Sequence, residues 1–520
     1  MARETQAKPW RGEGAARPTE EGRLAGRASA AGVIVLLAAV MALSAWRAAT
    51  QSVVHDEALT YNWFAGQPLI QMFNYDANHH ILHTWLVRLS VSAFGVSELT
   101  LRLPALAGAA LYLAALAWFA WRMLPAGPWR VAAVALGAAN PLLLDFFACA
   151  RGYGLALGFL MLALALVARH LSGVASRTGL AAAGLALGLS VASNLAFAFP
   201  AAAAAVAFLV LDRHGPQASW ASRGDHALTM LAWTIPTGAI VFTCGVPIGA
   251  LYIGHGSWAG WLNDLVNASF FSTQTAVLNP YAPIPEIVPA WAVSLAAAAA
   301  GAALAATIAG FAARSFRRAA PAPSATAVGG ALLATVACLA VLFLVAARVF
   351  AGINYPMDRT ALYFVPVVTL ALMLGLAGWT RRPRAMEWAA VLIALAVCAS
   401  YASQLRVSYY RSWKYDADSR RVFDRMEALA GHRPSTDRAT VFGAWYFEPS
   451  TDFYRLSRGA AWLRFFPRAS DRPIESWDFL IVDGAGAGQM KPHGFVPVYL
   501  GDVSDVVLCA NSKRGLAPPP

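Results

Sequence analysis

A chain of 520 residues in which 58% are hydrophobic and only 13% charged departs far from the roughly one-quarter charged make-up of soluble domains. An ordinary soluble enzyme is excluded, and a polytopic membrane protein is indicated. The net charge of +12 does not imply a nucleic-acid partner, because the arginines sit in short clusters between apolar runs and not in a basic stripe interleaved with aromatics.

Residues 1–27 are rich in Arg, Glu, Gly and Pro with no apolar period, which predicts a disordered cytoplasmic tail. The run "ASAAGVIVLLAAVMALSAW", ending at Trp46, is long enough to cross roughly 30 Å of hydrocarbon. No sharp Ala-x-Ala site precedes the polar segment, so it reads as an uncleaved first span, not a signal peptide. Further spans are expected at 102–121, 130–147, 153–168, 178–195, 197–211, 228–253, 288–313, 326–348, 361–379 and 386–404, about eleven in all. Five cysteines, Cys149, Cys244, Cys338, Cys398 and Cys509, are scattered without a CxxC pair; neither a disulfide framework nor a zinc site is expected.

Arg122 and Arg130, Arg169 and Arg177, Arg213 and Arg223, the cluster Arg314, Arg317 and Arg318, and the cluster Arg381, Arg382 and Arg384 fall in alternate connections. Short loops rich in Arg stay on the cytoplasmic side, and an odd count then leaves the N-terminus inside and the C-terminus outside. Two outer loops result, 47–101 and 254–287; Gly254 to Glu286 has no Lys or Arg. After Leu405 the composition becomes that of a soluble domain. "SRRVFDRMEAL" has helical spacing, and "ATVFGAW", "WDFLIVDG" and "GFVPVYL" read as strands. The expected architecture is an all-α polytopic membrane domain over 28–405 followed by a small α/β extracytoplasmic domain over 406–520.

Chemistry concentrates in the first outer loop. "VVHDEALTYNWFAG" places Asp56 and Glu57 just beyond the first span, and "NYDANHHILHTWLVRLSVSAFGVSELTLRLPALAGAAL" adds Asp76, His79, His80, His83, Arg88, Glu98 and Arg102 beside the bilayer. Charges near hydrocarbon are costly unless paired or functional. Leu82, Trp85, Leu86 and Leu89 recur at helical spacing, which predicts a helix lying in the interface.

On these residues, on "FGVSELTLRLPALAG" and on "ACARGYGLALGF", the chain resembles the GT-C superfamily of membrane glycosyltransferases, in particular the family 39, protein mannosyltransferase and aminoarabinose transferase-like group. The resemblance covers most of residues 30–180 and extends beyond them by topology alone. It implies inverting transfer of a hexosyl or pentosyl group from a polyprenyl-phosphate donor to a lipid, glycan or protein acceptor. The place implied is the outer face of a bacterial cytoplasmic membrane. Such chemistry needs a carboxylate that takes the acceptor proton and a cation that meets the departing phosphate.

Asp56 matches the first-loop catalytic acid; Glu57 beside it would orient the acceptor or hold a metal. The bland alternative for Asp56 is an N-cap of the helix "DEALTYNWF". In "DFFACARGYG" relatives often carry a Glu two residues before the Arg, where this chain has Cys149. Asp145 and Tyr153 are therefore the acceptor or second-acid candidates. Arg151 is either a phosphate or acceptor contact or an interface anchor. Arg359, in "INYPMDRTALYFVP", resembles the arginine that meets the lipid phosphate; its alternative is a surface pair with Asp358 worth roughly 0–1 kcal/mol. His79 and His80 stand where relatives place a donor-site His-Pro. No cofactor is implied, and the His79, His80, His83 spacing does not by itself indicate a divalent metal. The rival from another class is a lipid or solute transporter or flippase, disfavoured by the lack of duplicated halves. A second rival is a non-catalytic partner of another envelope protein.

Overall fold

The computed structural model describes residues 20–174, 176–212, 220–245, 248–252, 254–266, 290–315, 323–378 and 384–516. Residues 1–19 of the tail, most of the second outer loop, and Arg213, Arg317, Arg318, Arg381 and Arg382 lie outside the described residues.

Helix α1 (Glu20–Thr50) begins inside the segment expected to be disordered, a correction: no proline follows Pro18 to stop the helix before the apolar run. After α2 (His55–Thr60) the chain makes short turns to α3 (Ile81–Phe94). Helix α3 buries His83, Thr84, Val87, Ser90 and Val91, leaving Leu82, Trp85, Leu86 and Leu89 on its less buried side.

Gly95, at φ +80°, ends α3, and Ser97 caps α4 (Glu98–Met123). Ser97 Oγ accepts from the Thr100 amide at 3.2 Å, and Thr100 Oγ1 accepts from the Ser97 amide at 2.9 Å. This reciprocal cap, of a kind worth about 0.5–2 kcal/mol, aims the first turns of α4 at α2.

The span expected at 130–147 is broken into α5 (Pro128–Ala138) and α6 (Pro141–Ala148), bent by 57°. Pro141 disfavours helix at Asn140, whose Oδ1 accepts from the amides of Leu142 and Leu143 and starts a new helix. There follow α7 (Tyr153–Leu171), α8 (Arg177–Ser193), α9 (Ala198–Leu211), α10 (Trp220–Gly238), the short α11 (Trp258–Val266), α12 (Ala290–Ser315), α13 (Ala325–Ala351), α14 (Phe364–Ala377) and α15 (Arg384–Gln404). Helices α4 and α7 approach backbone to backbone: a Cβ at Gly108 would lie 2.4 Å from the Leu155 nitrogen, and one at Gly158 would lie 2.6 Å from the Gly108 oxygen.

Each expected span overlaps helical chain among the described residues, but 228–253 leaves regular helix after Phe242 and the count of eleven is not reproduced. Among the described residues seven helices are long and apolar enough to cross a membrane, or eight with the bent pair. Residues 177–193, 195–211 and 388–404 form shorter apolar helices. At 1.5 Å per residue, α8 and α9 reach only about 25 and 21 Å.

The ends of α1, α6, α8 and α13 and the starts of α4, α7, α9 and α14 meet at one end of the bundle. There β1 (Gly254–His255) pairs antiparallel with β2 (Tyr355–Pro356), tying the second outer loop to the segment that carries Arg359.

Beyond α15 come α16 (Ser419–Ala430), β3 (Val441–Gly443), α17 (Glu448–Ser457), β4 (Phe479–Asp483), α18 (Gly484–Met490), β5 (Phe495–Leu500) and β6 (Val506–Asn511). The strand order is β3-β4-β6-β5, with only β3 and β4 parallel. Sequence reasoning finds α16 and three strands but misses β6, whose six residues are all buried. A strand buried on both faces shows no alternation. This unit sits directly on α2: the Tyr454 hydroxyl oxygen accepts from Val53 N at 3.0 Å, Asp416 accepts from His55 N at 2.7 Å, and Asn62 Nδ2 donates to Pro449 O at 2.9 Å.

Candidate active site

The site is built on α2, and Glu57 holds that helix in place. Arg102 Nε donates to Glu57 Oε1 at 2.8 Å and its Nη2 to Oε2 at 2.6 Å, both side chains being 0% exposed. Its other N–H groups go to the carbonyls of Ala48, Gln51 and Ser52, so the five guanidinium donors are used. Glu57 also accepts from the Val54 amide at 3.1 Å and the Ala150 amide at 2.5 Å. It therefore ties α1, α2, α4 and the α6–α7 turn together and has no face toward an acceptor or metal, which corrects both roles expected for it. The N-cap of α2 is Val54, and the acid serving that end is Glu57, so Asp56 is no cap.

One step along a helix turns a side chain by about 100°, and Asp56 points away from Glu57's partners into a different environment. Its Oδ2 lies 3.6 Å from Arg151 Nη2 and 3.3 Å from Arg359 Nη2, and that oxygen makes no hydrogen bond. Burial alone would raise the Asp56 carboxyl, but the two guanidiniums prevail and hold it below its ordinary value. Arg151 also reaches the Asn78 side chain at 3.3 Å. Arg359 stacks over Trp413 at 5.4 Å and hydrogen-bonds Tyr153.

Asp358 does not pair with Arg359 alone. Asp358, at φ +41°, binds Arg411 at 2.6 Å in a left-handed turn that Asp tolerates better than most residues, and Arg359 reaches Asp56 as well as feeling the Asp358 charge.

Asp145 is corrected as a second acid: its carboxylate accepts from Arg47 at 2.6 Å and from the Arg411 amide at 2.8 Å, away from Asp56. Tyr153 does line the site. His79 stacks on Phe64 with centroids 4.0 Å apart, and the ring of His80 meets that of Tyr153 edge-on at 5.4 Å. The Nε2 atoms of both histidines are buried without a protein partner. Burial lowers both below the ordinary histidine value, His80 further because Arg151 adds to it, so both rings are neutral at pH 7. With His83 they do not gather into a ligand cluster among the described residues.

Asn78, His79, His80, Arg151, Tyr153 and Arg359 line an open cleft together with the apolar side chains of Phe199, Leu251, Leu344 and Ile353. Sequence reasoning missed Asn78, Trp413 and Asn194, whose Nδ2 is buried without a partner at the cleft wall. The signals available were "DANHH" and the arginine-aromatic stretch "YYRSWKYD".

Against known proteins, no protein-family model and no curated protein matches the chain. Among solved structures it is similar to ArnT from Cupriavidus metallidurans bound to undecaprenyl phosphate, with 14% identity over 94% of this chain and 99% of that one and a TM-score of 0.49. It is similar to the Archaeoglobus fulgidus oligosaccharyltransferase, with 13% identity over 89% of this chain and 71% of that one and a TM-score of 0.49. It is also similar to the arabinofuranosyltransferase AftD from Mycobacteria, with 16% identity over 92% of this chain and 40% of that one and a TM-score of 0.46. The chemistry of the site is carried by its own side chains.

Proposed function

We propose that the chain is an inverting glycosyltransferase that moves a sugar from a polyprenyl-phosphate-linked donor to a lipid, glycan or protein acceptor. In this proposal the N-terminus is cytoplasmic and the cleft and C-terminal domain face outward. The supporting observation is a carboxylate with an unbonded, buried oxygen, Asp56, set between Arg151 and Arg359, both of which line a cleft of mixed polar and apolar residues. The arginines would bind the donor phosphate, and Leu251, Leu344 and Phe199 the first prenyl units. Asp56 then removes the acceptor hydroxyl proton while the acceptor oxygen bonds to the anomeric carbon and the bond from that carbon to the phosphate oxygen breaks. The two guanidiniums neutralise the charge left on the phosphate. Neutral His79 and His80 offer ring nitrogens to sugar hydroxyls.

The test is an in vitro reaction of purified protein with a panel of polyprenyl-phosphate sugars and candidate acceptors, read by mass spectrometry. Glycosylated product and free polyprenyl phosphate in equal amounts are expected. Lipid movement across vesicles without product would favour the transporter class.

Arg359→Lys should raise the donor KM about tenfold, since an ammonium cannot reproduce the planar contact with phosphate or the stack on Trp413. Thermal unfolding should be little changed; an unaltered donor KM would remove Arg359 from the phosphate site.

The depressed Asp56 carboxyl gives a pH prediction. A base held below its ordinary value is ionised at neutral pH, and activity is lost only as pH falls through that depressed value. A bound phosphate occupies the arginines and weakens their pull on Asp56, so its value rises. The acid limb of kcat should therefore lie at higher pH than that of kcat/KM for donor, and coincident limbs would contradict this coupling.

A further inference from the structure

At the end of the bundle away from the cleft, three side chains from three helix ends converge. His170 lies in the last turn of α7, Asp212 at the C-cap of α9 and His226 in α10. Their ligand atoms all lie within 4.8 Å of one another. His170 Nε2 is 3.5 Å from Asp212 Oδ1, and His226 Nδ1 is 3.3 Å from Asp212 Oδ2. The two imidazoles meet edge to face with centroids 4.7 Å apart. His170 is 8% exposed, and its Nδ1 is buried without a protein partner. The neighbouring acid Asp225 is paired with Arg177 and so stands outside the group.

The His226–Asp212 contact is a long hydrogen bond at 3.3 Å, and the His170–Asp212 contact at 3.5 Å is longer still, against a usual centre near 2.9 Å. Each is also close to the edge of a tetrahedron with metal–ligand bonds of about 2.0–2.2 Å, roughly 3.3–3.6 Å, although each histidine faces its own oxygen of the Asp212 carboxylate. We propose that His170, Asp212 and His226 form a binding site for a borderline transition-metal dication, Zn²⁺ the best fit, with water in the fourth position. Two imidazoles and one carboxylate suit Zn²⁺, Ni²⁺ or Co²⁺ and disfavour Mg²⁺ and Ca²⁺, which prefer an all-oxygen shell. Seventeen residues of α7 separate His170 from Tyr153, about 26 Å at 1.5 Å per residue. The ion is therefore no participant in chemistry at Asp56; it clasps the ends of α7, α9 and α10. The inference is independent of the transferase proposal.

The experiment uses full-length protein in detergent, stripped with EDTA and dialysed against Zn²⁺, with bound metal counted by elemental mass spectrometry. Wild type should hold one equivalent that His226→Gln and Asp212→Asn lose, with affinity falling roughly 100-fold or more, the upper range that even a ligand's supporting partner commands. His432→Gln, at an exposed histidine of the C-terminal domain, should keep it. Since a variant can fail to fold, Co²⁺ added to wild type supplies a second measurement: visible bands of a four- or five-coordinate site are expected. Added Zn²⁺ should also raise the unfolding temperature of wild type and not of His226→Gln. Wild type that takes up neither ion at micromolar concentration, or folded variants that bind Zn²⁺ as wild type does, would overturn the site.

Discussion

Asp56→Asn should lower transfer by roughly 10²- to 10⁴-fold, the contribution typical of a positioned general base. The amide keeps the size of the side chain and leaves the Glu57–Arg102 pair intact, so the protein should still insert and fold, with some fall in unfolding temperature because buried Arg151 loses its counter-charge. Because the substitution also removes the only carboxylate between Arg151 and Arg359 among the described residues, the phosphate group should meet less competition. Donor KM should stay level or fall while kcat collapses, a split that marks an interaction used in the transition state. Near-normal kcat in well-folded Asp56→Asn would exclude Asp56 as the base.

Glu57→Gln should fail differently. Its neighbour Arg102 is fully buried with all five donors engaged, and removing one partner of such a pair leaves an uncompensated charge, at a cost of about 3–5 kcal/mol. The expected result is poor yield and a large fall in unfolding temperature, checked by thermal unfolding in detergent. A double variant, Glu57→Gln with Arg102→Met, should recover part of the loss because the stranded charge is gone. Wild-type stability with selectively lost transfer would return Glu57 to the chemistry.

The contrast between these neighbours explains what the sequence could and could not disclose. Composition and apolar run length locate the helices, and arginine alternation puts Asp56, Arg151 and Arg359 at the same end of the bundle, where they are indeed found. Roles within a charged cluster are another matter. Asp56 and Glu57 are adjacent acids whose difference lies in partners 45 and 93 residues away, Arg102 and the Ala150 amide, which no local pattern records. Asp145 lies near the same end of the bundle but is claimed by Arg47, 98 residues earlier. Likewise His170, Asp212 and His226 show no ligand spacing, because helix length rather than sequence interval sets their meeting. The broken span at Asn140–Pro141 was legible in local chemistry and was masked by an otherwise continuous apolar run.

The pairing of Asp56 with two arginines bears on how turnover ends. A pocket that grips a phosphate with two guanidiniums beside hydrocarbon risks being stalled by its own leaving group, since polyprenyl phosphate carries more negative charge after transfer than before it. A tethered carboxylate of the same sign, already within 3.6 Å of both cations, is an intramolecular competitor at high effective concentration. Once Asp56 has passed on its proton and is again an anion, it can reclaim the arginines and hasten departure of the spent lipid. The resting enzyme would then be the neutralised, lipid-free state to which each cycle returns.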